Sequence, residues 1–189
     1  MKSKKNRGLN TLNDEIRNSM YLKFCHLNPL SVIIKTNIMN QENIFIATDH
    51  AGYKLKEELR IKLEGLGYKI ADLTPNTPDA ADDYPDAAKK LADEVLKTND
   101  RGILLCGSGN GVCIAANKIA GIRAAVGYNN QAAKWARADE DANVLCLAGS
   151  ILSPEYALSI TRYFIETPFS GEERHIRRIN KIKKIEEKN

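Results

Sequence analysis

The sequence predicts an α/β fold, in which a five-stranded, parallel, doubly wound sheet is covered by helices on both faces to give a three-layer α/β/α sandwich. The main observation is an alternation, from Ile44 onward, between short apolar runs and segments in which apolar residues recur with the period of a helix. This alternation is typical of a parallel sheet with crossover helices. The length of 189 residues and the apolar content of 43% suffice for one such domain and an appendage.

The first half of the domain begins with a predicted strand at residues 44–48. Leucines at positions 55, 59, 63 and 66 predict a helix over residues 53–66, whose charged residues are expected to turn mostly away from that apolar face: Lys56, Glu57, Arg60 and Lys62. Residues 68–73 form the second predicted strand. Residues 74–83 are a polar loop with two prolines, which is longer than a minimal connection and is therefore a candidate functional loop.

The second half of the domain repeats the alternation. Pro85 opens a helix, and the apolar run that ends in Cys106 is the third predicted strand. The next predicted elements are a helix at 112–119 and strands at 122–127 and 144–147, with a helix containing 131–137 between these two strands. A further helix begins at Ser153-Pro154. The last predicted helix covers about residues 172–187 and has isoleucines at 176, 179, 182 and 185 beside a basic flank. The result is a Rossmann-like sheet, in which ligands bind beyond the carboxyl ends of the strands.

Positive charge is concentrated in the first 38 residues. Seven Lys/Arg side chains against Asp14 and Glu15 give this segment +5, so the rest of the chain carries −1 within the total of +4. The domain is therefore not expected to bind nucleic acid. Residues 1–38 show no sustained periodicity and are interpreted as a basic, disordered leader, with the domain over residues 39–189 and Met39 as a candidate start. A transit peptide is the alternative interpretation of the leader.

The four cysteines form no Cys-x-x-Cys motif, which favours reduced thiols in a cytoplasmic protein over a structural zinc site. Cys113 and Cys146 occupy positions that are expected to be packed, and no chemistry is assigned to them. No stretch contains the roughly 20 consecutive apolar residues that a membrane-spanning helix requires, so no membrane partner is expected.

The stretch Gly102-Ile-Leu-Leu-Cys-Gly-Ser-Gly-Asn-Gly111 is the main candidate for a functional site. It predicts a strand, a tight turn and the start of a helix. Glycines let the backbone approach a ligand closely, and amides at a helix start attract anions and favour the thiolate form of a nearby cysteine. The turn matches neither the dinucleotide-binding pattern nor the P-loop. Cys106 is therefore interpreted as a reactive thiol beside an anion cradle, or else as a small residue that fills the strand end.

Asp49 and His50 directly follow the first predicted strand. The third strand is expected to be its neighbour in the sheet, so both residues should lie beside Cys106 at the carboxyl edge. The alternatives are a helix cap for Asp49 and an ordinary surface position for His50.

Two further features have both a functional and a plain interpretation. Arg174 and Arg178 share one face of the last helix, and this spacing can present two guanidinium groups to one phosphate. On spacing alone, a solvated basic helix is the simpler account. Tyr84 follows the long polar loop and can equally be a packed residue.

Taken together, the motifs resemble one family over about residues 43 to 185. They are Asp-His-Ala-Gly after the first strand, Asp-Tyr-Pro after the long loop, Cys-Gly-Ser-Gly-Asn-Gly followed by Ile-Ala-Ala-Asn-Lys, Gly-Ile-Arg-Ala, Asp-Ala-Asn-Val-Leu, and Arg-His-x-x-Arg near the end. Their joint occurrence in this order is specific, although each alone is not. The sequence resembles the ribose-5-phosphate isomerase B and galactose-6-phosphate isomerase family.

The resemblance implies an aldose–ketose isomerase that acts on sugar phosphates through an enediolate, without a metal or an organic cofactor. Ribose 5-phosphate to ribulose 5-phosphate is the leading reaction. By resemblance, Cys106 moves a proton between C1 and C2, Ser108 assists, and Asp49 binds sugar hydroxyls. Two larger sets are implied: backbone amides that hold the enediolate oxygens, at Gly107, Ser108, Gly109, Asn110 and Gly111, and side chains around the phosphate, namely His50, Tyr84, Arg174 and Arg178.

The sequence departs from the family pattern where the sugar ring is opened. The family usually has His-Asn before Asp141-Ala-Asn-Val, and the histidine opens the ring, whereas this chain has Asp139 and Glu140. Asp139 is therefore the candidate acid–base group for ring opening. An arginine common in the turn after the fifth strand is also absent, and Ser150 or Ile151 stands in its place.

Two alternatives to the leading reaction stay open at this stage. The substrate can be galactose or allose 6-phosphate, or the chain can be a noncatalytic sugar-phosphate-binding subunit that needs a partner. The resemblance also implies a homodimer with the site at the subunit interface, with a tetramer as the alternative assembly.

Overall fold

The structure is a computed structural model, and it describes residues 43–74 and 79–187. The predicted leader, residues 1–38, lies outside the described residues. The strands and helices, in chain order, are β1 (Asn43–Thr48), α1 (Tyr53–Gly65), β2 (Lys69–Asp72), α2 (Tyr84–Thr98), β3 (Arg101–Cys106), α3 (Asn110–Ala116), β4 (Ala124–Val126), α4 (Asn130–Ala138), β5 (Val144–Ala148), α5 (Pro154–Glu166) and α6 (Glu173–Glu186).

The five strands form one parallel sheet with the order β2-β1-β3-β5-β4. The chain adds β2 on one side of β1 and then returns to place β3 on the other side. Because the direction of winding reverses between β1 and β3, a ligand crevice is expected outside the carboxyl ends of these two strands. The prediction that the turn after the first strand is a neighbour of Cys106 is confirmed.

Helices cover both faces of the sheet, which confirms the predicted three-layer fold. α2 and α3 pack on one face, and α1, α4 and α5 pack on the other. The central strands β1, β3 and β5 are buried along most of their length, as is typical of parallel strands that are covered on both sides. The sheet is therefore a rigid base for the turns at its carboxyl edge.

The boundaries of α3 differ from the prediction by a few residues at each end. The helix begins at Asn110 because Gly109, with φ of 77°, completes the turn there. The first two helical residues are Asn and Gly and give no apolar signal in the sequence. It ends at Ala116 because the side chain of Asn117 pairs with the backbone N–H and C=O of Ala124, at 2.9 and 2.8 Å, as β4 starts.

Lys56 is the one charged residue of α1 whose predicted position is wrong. Its side chain is fully buried rather than turned to solvent. The Nζ atom lies 2.5 Å from Oδ2 of Asp72 and 2.6 Å from Oε1 of Glu57, and it lies 4.8 Å from the centre of the Tyr53 ring. A buried ammonium group needs such partners, and the nearest carboxylate is on β2, which the helical pattern of α1 does not reveal.

The last helix, α6, is covered by the described fold on one narrow face only. His175 and Ile179 are buried, at 2% and 6% exposure, whereas Ile176, Ile182 and Ile185 are 43%, 39% and 63% exposed. The predicted isoleucine stripe is therefore mostly on the surface of the single chain.

Within the described ranges, no helix combines the length and the apolar character needed to cross a membrane.

Candidate active site

Cys106 is the last residue of β3, and it lies at the carboxyl edge of the sheet with 4% exposure. Its Sγ atom accepts a hydrogen bond from the backbone N–H of Gly109 at 3.1 Å. Gly109 has φ of 77°, and a Cβ added to it would lie 3.0 Å from the backbone of Leu147. The turn therefore requires glycine at this position in order to aim an amide at the sulfur.

The rest of the cradle is a set of loop amides rather than the end of a long helix, because α3 has only seven residues. Ser108 and Asn110 are exposed, and the Asn110 N–H donates to Oγ of Ser108 at 3.3 Å. The amides of Gly109 and Asn110 are thus used inside the loop. The candidates to hold a substrate oxygen are the amides of Gly107, Ser108 and Gly111.

The turns that follow β1, β3 and β5 pack against one another. Gly149 donates its N–H to the carbonyl oxygen of Cys106 at 2.7 Å, and Ser150 donates to that of Gly107 at 3.0 Å. A Cβ added to Gly149 would lie 2.6 Å from the Cα of Gly52. The backbones of these three turns therefore form one continuous surface around Cys106.

Tyr84 opens α2, and its ring contacts the cradle. The ring is 42% exposed, and its carbon atoms lie 3.0 Å from the position that a Cβ of Gly111 would occupy. Glycine at position 111 is therefore what allows the Tyr84 ring to lie close to the loop. Tyr84 therefore lies beside the glycine-rich loop that follows Cys106.

Asp49 does cap the turn after β1, as one interpretation expected. It is 7% exposed, and its Oδ1 atom accepts the N–H of Gly52 at 3.1 Å. A carboxylate can accept several hydrogen bonds, so the cap does not exclude contact with sugar hydroxyls.

His50, next along this turn, is paired with an aspartate that the sequence did not single out. Its Nδ1 atom lies 2.7 Å from Oδ1 of Asp82, and its backbone N–H donates to the same oxygen at 3.0 Å. The hydrogen bond to Asp82, followed by the negative charges of Asp82, Asp49 and Asp79, raises the pKa of His50, and burial opposes this shift only partly. Asp82 was missed because it lies in an irregular polar loop that gives no periodic signal.

A cavity of about 290 Å³ opens beside His50, between the ends of β1 and β2 and the start of α2. Among the described residues, its charged and titratable lining consists of five carboxylates, at Asp49, Asp79, Asp82, Asp83 and Asp86, together with His50, Tyr53 and Lys90. No residue of the described cradle lines it. The cavity is therefore unfavourable for a phosphate dianion, except at the His50 ring.

The remaining predicted site residues lie at the opposite edge of the sheet. Asp139 follows α4 and precedes β5, and its side chain is 39% exposed. Its backbone oxygen lies 2.7 Å from Nδ1 of the buried His175 on α6. Cys106 and Asp139 are thus separated by about the length of β5, roughly 15 Å at 3.3 Å per residue.

Arg174 and Arg178 are exposed on α6, on the same side of the molecule as Asp139. Nε of Arg174 is 2.7 Å from Oε2 of Glu172. The C-terminal part of α6 is also at the amino edge, since Glu186 accepts the N–H of Gly121 at 3.1 Å, shortly before β4. The two arginines therefore do not reach the cradle of their own chain.

The loop that carries Asp139 is held by a second pair of arginines. Asp141 has a left-handed backbone, with φ of 46°, and its carboxylate oxygens are bound by Arg123 at 2.8 Å and by Arg137 at 2.9 Å. A non-glycine residue in this conformation needs such support. The network fixes the direction in which the loop presents Asp139 and Glu140.

These features define a parallel α/β protein with a cysteine and a glycine-rich amide loop at the switch point of its sheet. The family model for Ribose/Galactose Isomerase matches residues 44–182. Ribose-5-phosphate isomerase B of Mycobacterium tuberculosis is 36% identical over 149 residues, which cover 78% of this chain and 92% of that protein.

Solved structures of ribose-5-phosphate isomerases also match this chain. The crystal structure of ribose-5-phosphate isomerase B from Mycoplasma genitalium with bound ribulose-5-phosphate is 44% identical, with a TM-score of 0.74, and the match covers 78% of this chain and 97% of that one. The crystal structure of a ribose 5-phosphate isomerase from Thermotoga maritima is 42% identical, with a TM-score of 0.73, and the match covers 76% of this chain and 99% of that one. The chain belongs to the Ribose/Galactose Isomerase family and is an isomerase.

Proposed function

We propose that the protein interconverts ribose 5-phosphate and ribulose 5-phosphate through an enediolate, with Cys106 as the base. The observation that carries this proposal is the cysteine sulfur at the end of β3, 3.1 Å from the amide of Gly109, at the switch point where a ligand is expected. The bound ribulose-5-phosphate of the Mycoplasma genitalium relative supports this choice of substrate.

In this mechanism the thiolate of Cys106 removes the proton on C2 of the open-chain aldose. The C–H electron pair forms the C1=C2 double bond, and negative charge develops on O1. The thiol then returns the proton to C1, while the hydroxyl proton of O2 passes to O1 with Ser108 as its carrier. Loop amides at Gly107, Ser108 and Gly111 stabilise the oxyanion, and one such donor contributes roughly 3 to 4 kcal/mol in measured sites.

The division of the predicted residues between two edges supports a homodimer. Asp49, His50, Tyr84 and the cradle lie at the carboxyl edge, whereas Asp139, Arg174 and Arg178 lie at the amino edge. In the proposed dimer, the amino edge of a second copy faces the cradle and brings the ring-opening carboxylate and the two guanidinium groups to the substrate.

The exposed isoleucines of α6 also support an assembly. Ile182 and Ile185 lie about one turn apart on the same helix as Arg174 and Arg178, and adjacent exposed apolar residues of this kind are typical of subunit contacts. The interface that we propose therefore buries part of α6. A tetramer of two such dimers is the larger alternative.

Galactose 6-phosphate is the second candidate substrate, because the matching family model includes galactose isomerases. A panel of pentose and hexose phosphates, tested with the purified chain, distinguishes the two.

Replacing the catalytic thiol tests the mechanism. We expect Cys106→Ala to lower kcat at least about 100-fold on the best substrate of the panel, since general acid–base groups contribute factors of this size. Cys113→Ala is the matched control and should keep nearly full activity, because that thiol is packed against the backbone of β4. Full turnover by Cys106→Ala on every sugar phosphate would contradict the proposed mechanism.

The three described cysteines are free thiols. Free thiols are typical of proteins that work in a reducing compartment, and we propose the cytoplasm as the site of action.

A further inference from the structure

Asp82 makes two hydrogen bonds to His50 through a single carboxylate oxygen. The backbone N–H of His50 donates to Oδ1 at 3.0 Å, and the ring Nδ1 lies 2.7 Å from the same atom. The first contact ties the loop that follows β2 to the turn that follows β1. The second contact is made by the ring of His50, which the family resemblance places around the phosphate of the substrate. Holding the loop to the turn requires only the first contact.

The chemistry of the pair determines the protonation of the ring. An ionised carboxylate can only accept hydrogen bonds, so Nδ1 of His50 carries a proton. In the neutral ring, Nε2 would then have a lone pair and would repel a phosphate oxygen. In the imidazolium form Nε2 is a donor, and the adjacent negative charge of Asp82 stabilises that form.

Most of the other charges around His50 act in the same direction. Asp49 lies on its own turn, Asp79 on the loop after β2, and Asp83 and Asp86 at the start of α2. Among the described residues that line the adjoining cavity, Lys90 is the one lysine and opposes them, and Tyr53 of α1 is the other titratable group. The pKa of His50 is raised, with the hydrogen bond from the ring to Asp82 as the largest cause. The ring is therefore cationic to a higher pH than an ordinary histidine.

We propose that Asp82 is a positioning residue for the isomerase reaction, which holds the His50 ring so that Nε2 donates a hydrogen bond to the phosphate group of the substrate. This inference rests on the proposed function, because it takes a sugar phosphate as the ligand of His50. It assigns Asp82 no contact with the reacting carbon atoms. The expected effect of its loss is on substrate binding rather than on proton transfer.

The variant Asp82→Asn separates this role from a structural one. The asparagine side-chain oxygen can still accept the backbone N–H of His50 and so keep the loop tie, but the negative charge beside the ring is lost. Asp93→Asn is the matched control, because Asp93 is an exposed aspartate on α2 that pairs only with Lys89 among the described residues.

The first measurement follows the C2 proton of His50 by NMR as a function of pH. The chain has three histidines, and His50→Gln identifies the resonance. We expect the titration midpoint in Asp82→Asn to fall from its raised value toward about 6.5, the ordinary value for histidine, and to stay unchanged in Asp93→Asn. An unchanged midpoint in Asp82→Asn would overturn the proposal.

The second measurement is the kinetics with ribose 5-phosphate. For Asp82→Asn at neutral pH we expect KM to rise about tenfold, the lower end for loss of a hydrogen bond to a charged group, and kcat to change less than about twofold. The rise of KM with pH should also begin at a lower pH than in the unaltered protein, because the imidazolium is lost earlier. An unchanged KM, or a loss confined to kcat, would overturn the proposal.

The two proposals can fail separately. If the unaltered protein does not isomerise ribose 5-phosphate, the proposed function fails. Calorimetric binding of ribose 5-phosphate then replaces KM, and a weaker affinity in Asp82→Asn together with the lowered midpoint still supports Asp82. Equal affinities would overturn it.

Discussion

Cys106, Cys113 and Cys146 carry the same thiol in three different environments. Burial raises the pKa of Cys146, in the middle of β5, well above its ordinary value. A hydrogen bond with Cys146 lowers the pKa of Cys113, which is half-buried on α3. The sulfur of Cys106 instead receives a backbone amide at the edge where the strands end. The position and the amide donor, rather than the residue type, therefore distinguish Cys106 as the proposed base.

The role of Asp139 is tested by comparing a substrate that forms a ring with one that cannot. We expect Asp139→Asn to slow the reaction of ribose 5-phosphate about 100-fold, the lower end for loss of a general acid–base group. An aldose phosphate whose phosphate occupies the hydroxyl needed for ring closure should be slowed only a few-fold, because it needs no ring opening. Steady-state rates on both substrates provide the comparison.

Equal losses on the two substrates would contradict a role for Asp139 in ring opening. Asp139→His is the companion variant, since it restores the family residue in a loop that Arg123 and Arg137 already hold. A gain in ribose 5-phosphate turnover is expected for it.

At the scale of elements, the site depends on how closely the turns after β1, β3 and β5 approach one another. Gly52 and Gly149 are the residues that allow this approach. A Cβ on Gly52 would lie 2.3 Å from Oγ1 of Thr48, and one on Gly149 would lie 2.6 Å from the Cα of Gly52. Both distances are far below van der Waals contact, and the second involves backbone, which cannot rotate away.

We therefore expect Gly149→Ala to lower the free energy of unfolding by about 1–3 kcal/mol, the usual range for overpacking, and to lower activity because the cradle shifts. Gly65→Ala is the control: Gly65 ends α1, with no atom within 4 Å of an added Cβ. This control should be unchanged or more stable by up to about 1 kcal/mol, the helix propensity difference. Urea unfolding measures both, and equal stabilities of the two variants would refute the packing argument.

Much of this architecture could be predicted from the sequence, because strands and helices have different periodicities. The start of α3 could not, since a left-handed glycine sets it and the first helical residues are polar. The pairing of Asp82 with His50 could not be predicted either, because it joins two loops 32 residues apart.

The separation of Asp139 from Cys106 could have been predicted from the order of the elements along the chain. Asp139 precedes its strand whereas Cys106 ends one, and in a parallel sheet these positions lie at opposite edges. The exposure of Ile176 and Ile182 could not be predicted from the sequence. An apolar stripe has the same sequence pattern whether its own chain or a second copy covers it.

At the scale of the whole molecule, the proposed site residues of one chain form two groups at opposite edges of the sheet. The carboxyl edge has Cys106, the cradle and the His50–Asp82 pair, and the amino edge has Asp139 and the two arginines of α6. In the proposed dimer, two-fold symmetry joins each group to its complement and gives two equivalent sites.

Mixing two inactive variants tests this account most directly. Cys106→Ala disables the carboxyl-edge half, and the double variant Arg174→Ala, Arg178→Ala disables the amino-edge half. After co-refolding, half of the dimers are mixed, and each mixed dimer has one intact site. The mixture should therefore recover about a quarter of the unaltered activity on ribose 5-phosphate, if the dimer is two-fold symmetric. Activity no greater than the average of the two separate variants would show that each site is built from one chain, and would contradict the account.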